Sequence, residues 1–519
     1  MSRTRPAAVM ILAAGAGTRM RSATPKVLHR IAGRSLLNHA LDAAAALDPA
    51  RTVVVVRHER AAVAEHVREV APDALLADQD DVPGTGRAVW CGMSALDATT
   101  VAAAVAEGKV GDRSVLGLQL EGAVVVTSGD VPLVDGDLLA ELVDAHEASG
   151  DAVTVMTARV GDPTGYGRIL RDADGTVLGI VEHKDASEPQ LAIDEVNAGI
   201  YVFEAATLRE ALASLTTDNA QGEMYLTDVL ALAREAGGRV GAFVAPDAGA
   251  VEGVNDRVQL AAAGTALNRR IVERWMRAGV TVVDPATTWI DAGVELSEDV
   301  TLLPGTQLHG ATAIATGAVV GPDTTLTDVT VGEGAHVTRV HGSGAVIGDR
   351  ASIGPFTYLR PGTVIGVKGK AGAFVETKNA RLGDGAKVPH LSYVGDAEIG
   401  EGTNIGAGTI FVNYDGVHKH RTVVGEHVRI GSDNTLIAPL QVGDGAYSGA
   451  GTTIRHDVPP GALAINSSPQ QTVEGWVETR RPGTPSAEAA ERAQRARADR
   501  ETLSSGAGDA APVTEEGES

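Results

Sequence analysis

A glycine loop flanked by fixed cations is the first stretch suited to chemistry. Leu12-Ala13-Ala14-Gly15-Ala16-Gly17-Thr18-Arg19-Met20 follows an apolar run, and Pro25-Lys26-Val27-Leu28 comes soon after. Such a loop at a strand end offers backbone N–H groups to an anion, and Arg19 and Lys26 add full charges that suit a triphosphate. A dinucleotide fingerprint would also open with G-x-G, but it needs a third glycine where Met20 stands. Asp130, in Ser128-Gly129-Asp130-Val131-Pro132, ends another apolar run, where a carboxylate can hold a hard cation or can simply face solvent. Glu182 and Lys184 read alone as a surface pair. Ionisable and amide side chains gather again in or beside 366–423, where Arg360, Lys378, His390, Tyr393, Asn404, Asn413 and Tyr414 fall. Taken singly, His390 is a turn histidine. His418 and His420 lack a further ligand at metal spacing.

Two kinds of element must position these groups. Apolar runs at Val9 to Ala13, Thr52 to Val56, Gly122 to Thr127 and Asp151 to Met156 alternate with Ala-rich helical segments such as Leu36 to Leu47 and Leu138 to Ala148. That alternation predicts an α/β domain with a mostly parallel, Rossmann-like sheet and ligands at the strand C-terminal ends. Asn255 to Arg277 reads as one connecting helix stopped by Gly279. Beyond it the apolar period becomes six. Leu296, Leu302, Leu308, Ile314, Val320 and Leu326 keep that step, as do Ile347, Ile353, Leu359 and Ile365, and Val424, Ile430, Leu436, Val442, Ser448 and Ile454. This is a hexapeptide repeat, the mark of a parallel β-helix running from about Val282 to Val458. Its step is lost between Gly366 and Val423, and breaks in a repeat are where function is inserted. Past Trp476 the composition cannot bury enough surface to order a chain, so a disordered tail is expected, with Ala487 to Leu503 transiently helical at most. The expected division is 1–254, a linker helix at 255–280, a solenoid at 281–479, and a tail at 480–519.

Composition narrows the function. The 519 residues carry a formal net charge of −23, which argues against a nucleic-acid partner. The single cysteine, Cys91, excludes an internal disulfide framework and suits a reducing cytoplasm. Arg3 and Arg5 before Ala7 to Ala14 outline a short signal peptide, but the run breaks at Gly15 and Gly17 into a charged loop, so a strand is expected. No membrane span is expected.

The company of the glycine loop makes it specific. L-x-x-G-x-G-T-R-M with P-K-x-L is followed in order by Gln79 with Gly84-Thr85-Gly86, Gly129-Asp130-Val131-Pro132-Leu133, Pro163-Thr164-Gly165-Tyr166-Gly167-Arg168, Val181-Glu182-His183-Lys184-Asp185, Glu195-Val196-Asn197-Ala198-Gly199 and Glu252-Gly253-Val254-Asn255. The set resembles sugar-1-phosphate nucleotidyltransferases. Joined to a hexapeptide solenoid, it resembles the bifunctional family that unites UDP-N-acetylglucosamine pyrophosphorylase with glucosamine-1-phosphate N-acetyltransferase. The resemblance covers about residues 7 to 476 and leaves the tail and an insertion near 108–122 unexplained. It implies a left-handed β-helix, a homotrimer, a cytoplasmic enzyme, and a product used for peptidoglycan and other envelope precursors. Leu12, Ala13, Ala14, Gly15, Arg19, Lys26, Gln79, Gly84, Thr85, Ser128 and Gly129 would hold UTP, with Gln79 on the uracil edge. Gly167, Glu182 and Asn197 would hold the sugar, and Asp130 with Asn255 would bind Mg2+. In the solenoid His390 would be the general base that takes a proton as the amine of glucosamine 1-phosphate attacks acetyl-CoA. Arg360, Lys378, Tyr393 and Asn404 would bind the sugar phosphate, with Glu376 orienting the amine. Ala407, Asn413, Tyr414, Ser432, Ala450 and Ser467 would line the acetyl-CoA groove. Two departures stand out: Ala16 replaces a loop lysine frequent in the family, and Ser467 stands where some relatives carry arginine. Two other readings fit the same architecture, a nucleotidyltransferase with a purely structural solenoid and a non-catalytic nucleotide-sugar sensor. A complete set of Arg19, Lys26, Asp130 and Asn255 disfavours the sensor.

Overall fold

Valine-rich runs that are apolar on both sides become strands that only a sheet covered on both faces can bury. The computed structural model describes residues 5–106, 118–466 and 469–505. In the α/β region the sheet runs in the order Val240–Val244, Val153–Arg159, Glu195–Glu204, Ala123–Ser128, Ala8–Ala13, Thr52–Val56, Leu75–Asp78. Ala8–Ala13 is parallel to both neighbours, whereas Glu195–Glu204 is antiparallel to both of its own, so the sheet is mixed but mostly parallel. Alternate residues of the same strands enter opposite cores: Met10, Val53, Val55 and Val124 on one face, Val9, Ile11, Val54 and Val125 on the other. Helix starts follow their caps. Ser35 accepts from the Asn38 amide ahead of Leu36–Ala45, and Asp135 from the Leu138 amide ahead of Gly136–Ser149. Helix Thr85–Ala106 is long and apolar enough to cross a membrane by length and composition, and its Val89, Met93 and Leu96 pack in the domain core. The 108–122 insertion falls largely outside the described residues.

The connecting helix is Arg257–Arg277, two residues shorter at its start than the sequence suggests, because Asp256 caps the Val258 and Gln259 amides and leaves Asn255 outside. Its Ile271 and Val272 belong to the solenoid core, and Asn268 exchanges hydrogen bonds with Thr288 and Ile290. The solenoid strands run from Thr281–Val282 to Leu463–Ala464. In the first coils each strand pairs in parallel with the third strand after it, as Trp289 with Gln307, Glu295 with Ala313 and Thr301 with Val319, so three hexads close one coil. The expected loss of step over 366–423 needs correction. Ala371, Thr377, Leu382, Val388, Val394, Ile399, Ile405 and Phe411 are all buried at steps of five or six, and the one interruption is the excursion between strands Ile410–Val412 and Thr422–Val424. Five-residue steps shift the phase without ending the stack.

The segment read as helical at Ala487 to Leu503 lies within a helix. Within a second compact unit, Ile465–Ser519, helices Trp476–Arg480 and Pro485–Ser505 form. Ala, Glu and Arg are good helix formers, and Glu488–Arg492, Glu491–Arg495 and Arg497–Glu501 are i,i+4 ion pairs. Low hydrophobicity excludes a packed core without excluding a helix.

Candidate functional site

The first site lies at the C-terminal ends of Ala8–Ala13 and Ala123–Ser128, where a cavity of about 710 Å3 opens. Gly17 turns the loop at φ +60, and a Cβ there would come 2.5 Å from Lys26 Cβ, so this glycine lets Lys26 lie against the loop. Lys26 forms an ion pair with Asp130, and its Nζ lies 3.3 Å from Asn255 Oδ1. Arg19 donates to the same Asn255 oxygen at 2.9 Å. The backbone sets this up: the Val254 amide donates to the Asp130 carbonyl at 2.8 Å, which brings Asn255 beside Asp130. Asn255 Nδ2 faces the Gly253 carbonyl, which turns Oδ1 towards the cations. Two cations, a carboxylate and an amide oxygen therefore converge beside the glycine loop of Leu12, Ala13, Ala14 and Gly15.

Gln79, Gly84, Thr85 and Ser128 line the same cavity, with Glu182 and Asn197 farther along its wall. Gln79 Nε2 donates to the Val82 and Gly84 carbonyls, which fixes the amide plane. Gly129 and Gly167 stand behind the lining: the Gly129 amide donates to the Leu12 carbonyl, and a Cβ on Gly167 would meet Ile180 at 2.9 Å and Glu182 at 3.5 Å. Burial raises the pKa of Glu182, with Asp228, Asp185 and Glu223 adding to the effect against one hydrogen bond from Thr227. A register shift between Asn197 and Tyr201 breaks the pairing with Val153–Arg159, and Asn197 Nδ2 donates to the Tyr201 hydroxyl at 2.7 Å. Tyr166, Tyr201, Thr227 and Glu223 also line the cavity and were not singled out from the sequence. The Asn197–Tyr201 spacing is the signal that could have found Tyr201. Its burial pushes the phenol pKa far up, so the hydroxyl stays protonated.

The second site is built by stacking. The Gly408 amide donates to the His390 carbonyl, the Asp433 amide to that of Ala407, and the Gly451 amide to that of Ser432. His390, Ala407, Ser432 and Ala450 thus occupy equivalent corners of successive coils, and the column is exposed apart from the half-buried Ala407. One face away, Arg360 pairs with Glu376 at 2.9 Å, and strand register sets Glu376 beside Tyr393 and Lys378 beside Gly395. Contact with Lys419 lowers the pKa of Lys378, so two ammonium groups crowd together. Asp396, missed in the sequence, accepts from Asn379 Nδ2 at 2.7 Å and from Asn413 Nδ2. Burial works to raise its pKa, but these bonds and the charges of Lys378 and Lys419 hold it below the ordinary value. Asn404 bridges the backbones of Lys387 and Arg429. Tyr414 is exposed in the excursion, whose His420 bonds Asp415 at 2.7 Å. Ser467 lies outside the described residues. Among the described residues no group of three or more His, Cys, Asp or Glu side chains is arranged for a metal ion.

A glycine-loop cavity on a mostly parallel sheet, followed by a hexapeptide solenoid with an ionisable corner, defines a nucleotidyltransferase fused to an acyltransferase-type β-helix. Residues 9–235 match the model of the MobA-like NTP transferase domain. The chain is 64% identical to the bifunctional protein GlmU of Paenarthrobacter aurescens over 489 residues, 94% of this chain and 95% of that protein. It is 61% identical to that of Kineococcus radiotolerans over 488 residues, 94% and 95% of the two chains. Against that of Corynebacterium aurimucosum it is 55% identical over 506 residues, 97% and 100%. The chain belongs to the bifunctional GlmU family, as a UDP-N-acetylglucosamine diphosphorylase and glucosamine-1-phosphate N-acetyltransferase in one polypeptide.

Proposed function

We propose that the two activities are divided between the two sites, acetylation on the solenoid and uridylyl transfer in the α/β cavity. The solenoid acts first, on glucosamine 1-phosphate, and its product N-acetylglucosamine 1-phosphate is the acceptor in the cavity. There a phosphate oxygen of the acceptor attacks the α-phosphorus of UTP in line, forming the new P–O bond as the bond to pyrophosphate breaks. The convergence of Arg19, Lys26, Asp130 and Asn255 carries this reading, because those groups can hold both the triphosphate and its counter-ion. Asp130 and Asn255 would hold Mg2+: both oxygens already face one cation, the Lys26 ammonium, and hard oxygen donors suit that ion. When bound, Mg2+ offsets charge on the phosphates. Lys26 and Arg19 then grip phosphate oxygens, Gln79 and Thr85 the nucleoside, and Gly167, Glu182 and Asn197 the sugar.

On the solenoid, His390 accepts the amine proton as nitrogen attacks the thioester carbonyl and the CoA thiolate leaves. Arg360, Lys378 and Tyr393 take the sugar phosphate with Asn404. Ala407, Ser432 and Ala450 leave a shallow track for acetyl-CoA beside Asn413 and Tyr414. A homotrimer would cover this open face. Stacked exposed rings support it: Phe356 and Phe374 lie 5.2 Å apart and Leu391 follows, at 52%, 58% and 61% exposure, on the corner that runs into the His390 column. Phe374→Asp should sediment as a smaller species and lose acetyl transfer while pyrophosphate release persists. An unchanged sedimentation coefficient would remove the ladder from the interface. UTP and acetyl-CoA as substrates support a cytoplasmic enzyme. The direct test supplies acetyl-CoA, glucosamine 1-phosphate, UTP and Mg2+ and follows free thiol and pyrophosphate separately. Thiol without pyrophosphate, or the reverse, would leave one half of the assignment standing.

A further inference from the structure

Arg168 is the bulkiest among the fully buried side chains, with 1% of its surface exposed. It opens strand Arg168–Arg171, directly after Gly167 on the sugar side of the cavity. Among the described residues no carboxylate lies within ion-pair distance of it, and its Nε has no hydrogen-bond partner. Beside hydrogen bonds from Thr164, the guanidinium helps to lower the pKa of the Asp162 carboxylate, but does not touch it. A guanidinium taken out of water with no carboxylate in direct contact is costly, so whatever it holds together must be worth that cost. Its partners are all neutral acceptors. One terminal nitrogen donates to the Tyr166 carbonyl; the other faces the Leu191 carbonyl at 3.4 Å and His183 Nδ1 at 3.4 Å. Arginine has no acceptor, so Nδ1 of His183 accepts, which puts the ring proton on Nε2. The acceptors lie on two segments. Tyr166 belongs to the turn 163–167; His183 follows Glu182, and Leu191 ends the helix Glu188–Leu191. Tyr166 and Glu182 both line the cavity.

We propose that Arg168 is a positioning residue for the acceptor sugar phosphate, a buried fork that locks the 163–167 turn against the 182–191 segment. The wall formed by Tyr166 and Glu182 then keeps its shape before substrate arrives. The fork matters because three acceptors at different angles can be met by one rigid guanidinium, whereas a lysine ammonium on a flexible stem meets them one at a time. Among the described residues its hydrogen bonds go to Tyr166, His183 and Leu191 and none to the glycine loop or Asp130, so its influence is directed to the sugar end of the cavity.

The inference rests on the assignment of the cavity to uridylyl transfer, and steady-state kinetics separate the two. Wild-type protein is assayed for pyrophosphate release with UTP and N-acetylglucosamine 1-phosphate varied in turn; if release does not depend on the sugar phosphate, the assignment itself fails. Given that dependence, Arg168→Lys should raise KM for N-acetylglucosamine 1-phosphate about 10- to 100-fold, since displacement of a positioned group by about 1 Å has effects on that scale. KM for UTP should stay within about twofold, and thiol release from acetyl-CoA should be unchanged. His183→Ala should move the same constant in the same direction by a smaller factor, and His183→Asn, which keeps an acceptor near the Nδ1 position, should restore most of it. The His183 pair decides the matter even if Arg168→Lys does not accumulate as folded protein. Equal rises in both KM values, or an unchanged sugar-phosphate KM in His183→Ala, would overturn the positioning role.

Discussion

The two sites are made by opposite strategies. In the α/β cavity, residues distant in sequence meet: Arg19 bonds Asn255, 236 positions away, and Lys26 pairs with Asp130, 104 away. Lys26 and Asp130 pair with each other and are largely buried at the strand ends, while Arg19 joins them through the Asn255 amide from the exposed rim. On the solenoid, one residue per coil is placed by stacking; Tyr393 is beside Ile410, and Glu376 beside Tyr393, purely by register. His390, Tyr414, Ser432 and Ala450 remain exposed. A folded sheet encloses a site by topology, whereas a solenoid offers a straight, open edge, which the proposed homotrimer would close. The cavity can therefore be damaged from many directions, and the edge only locally or through assembly.

The sharpest way to break that contrast is His390→Ala. If the imidazole is the positioned base, acetyl transfer should fall by roughly 10²- to 10⁴-fold, the range for such catalysis. Pyrophosphate release should hardly move, because the two sites draw on separate cores. Raising the pH should partly restore the variant, as more of the free amine is then present without enzymic help. Parallel loss of both activities would point to misfolding and erase the supposed independence. Asp130→Ala is the converse. It removes the only full charge of the proposed ligand pair Asp130 and Asn255, so pyrophosphate release at ordinary Mg2+ should drop by at least ~100-fold if charge compensation there supplies several kcal/mol. Acetyl transfer should persist; its loss would show that the column depends on the cavity.

Much of this was legible because strict period and motif order survive in one dimension. The hexads specify the solenoid without reference to any contact, and the glycine loop with Lys26 and Asp130 marks the cavity. What escaped reading depends on three dimensions. Asp396 stands among Asn379, Asn413, Lys378 and Lys419 only because coils stack there, and nothing near it in sequence marks it. Five-residue steps at Leu382 and Ile399 looked like a lost repeat, although the inward residues never stop. Tyr201 enters the cavity through a register shift that alternation alone does not encode. In the tail, helix propensity acts without a large core, and the composition of Ala487 to Leu503 marked the helical stretch but not its bounds, Pro485–Ser505.

The smallest expected effect separates the two regions by the sign of a pH dependence. Glu182 has its pKa raised above 4.5 by burial and neighbouring acids, so ionising it costs the folded state. Below the ordinary glutamate pKa both folded and unfolded chains hold the proton and the penalty is absent. As pH rises through the folded value, the unfolded chain has already released its proton, and the folded state loses stability until the carboxylate is fully ionised. Glu182→Gln should therefore melt higher than wild type at neutral pH, by about 2 °C in the α/β transition, and the gap should close as pH approaches 4.5. Asp396 on the solenoid has a depressed pKa, and the sign reverses. Its stabilising contribution is present above 3.8 and is lost as pH falls through the folded value, so Asp396→Asn should melt lower at neutral pH and converge on wild type in acid. Calorimetry of the two variants across pH 2 to 8 would read both slopes, that of Glu182 above 4.5 and that of Asp396 below 3.8. Slopes of the same sign would mean that one of these carboxylates is not held as described, and the enclosed cavity and the open edge would no longer differ in how they treat a negative charge.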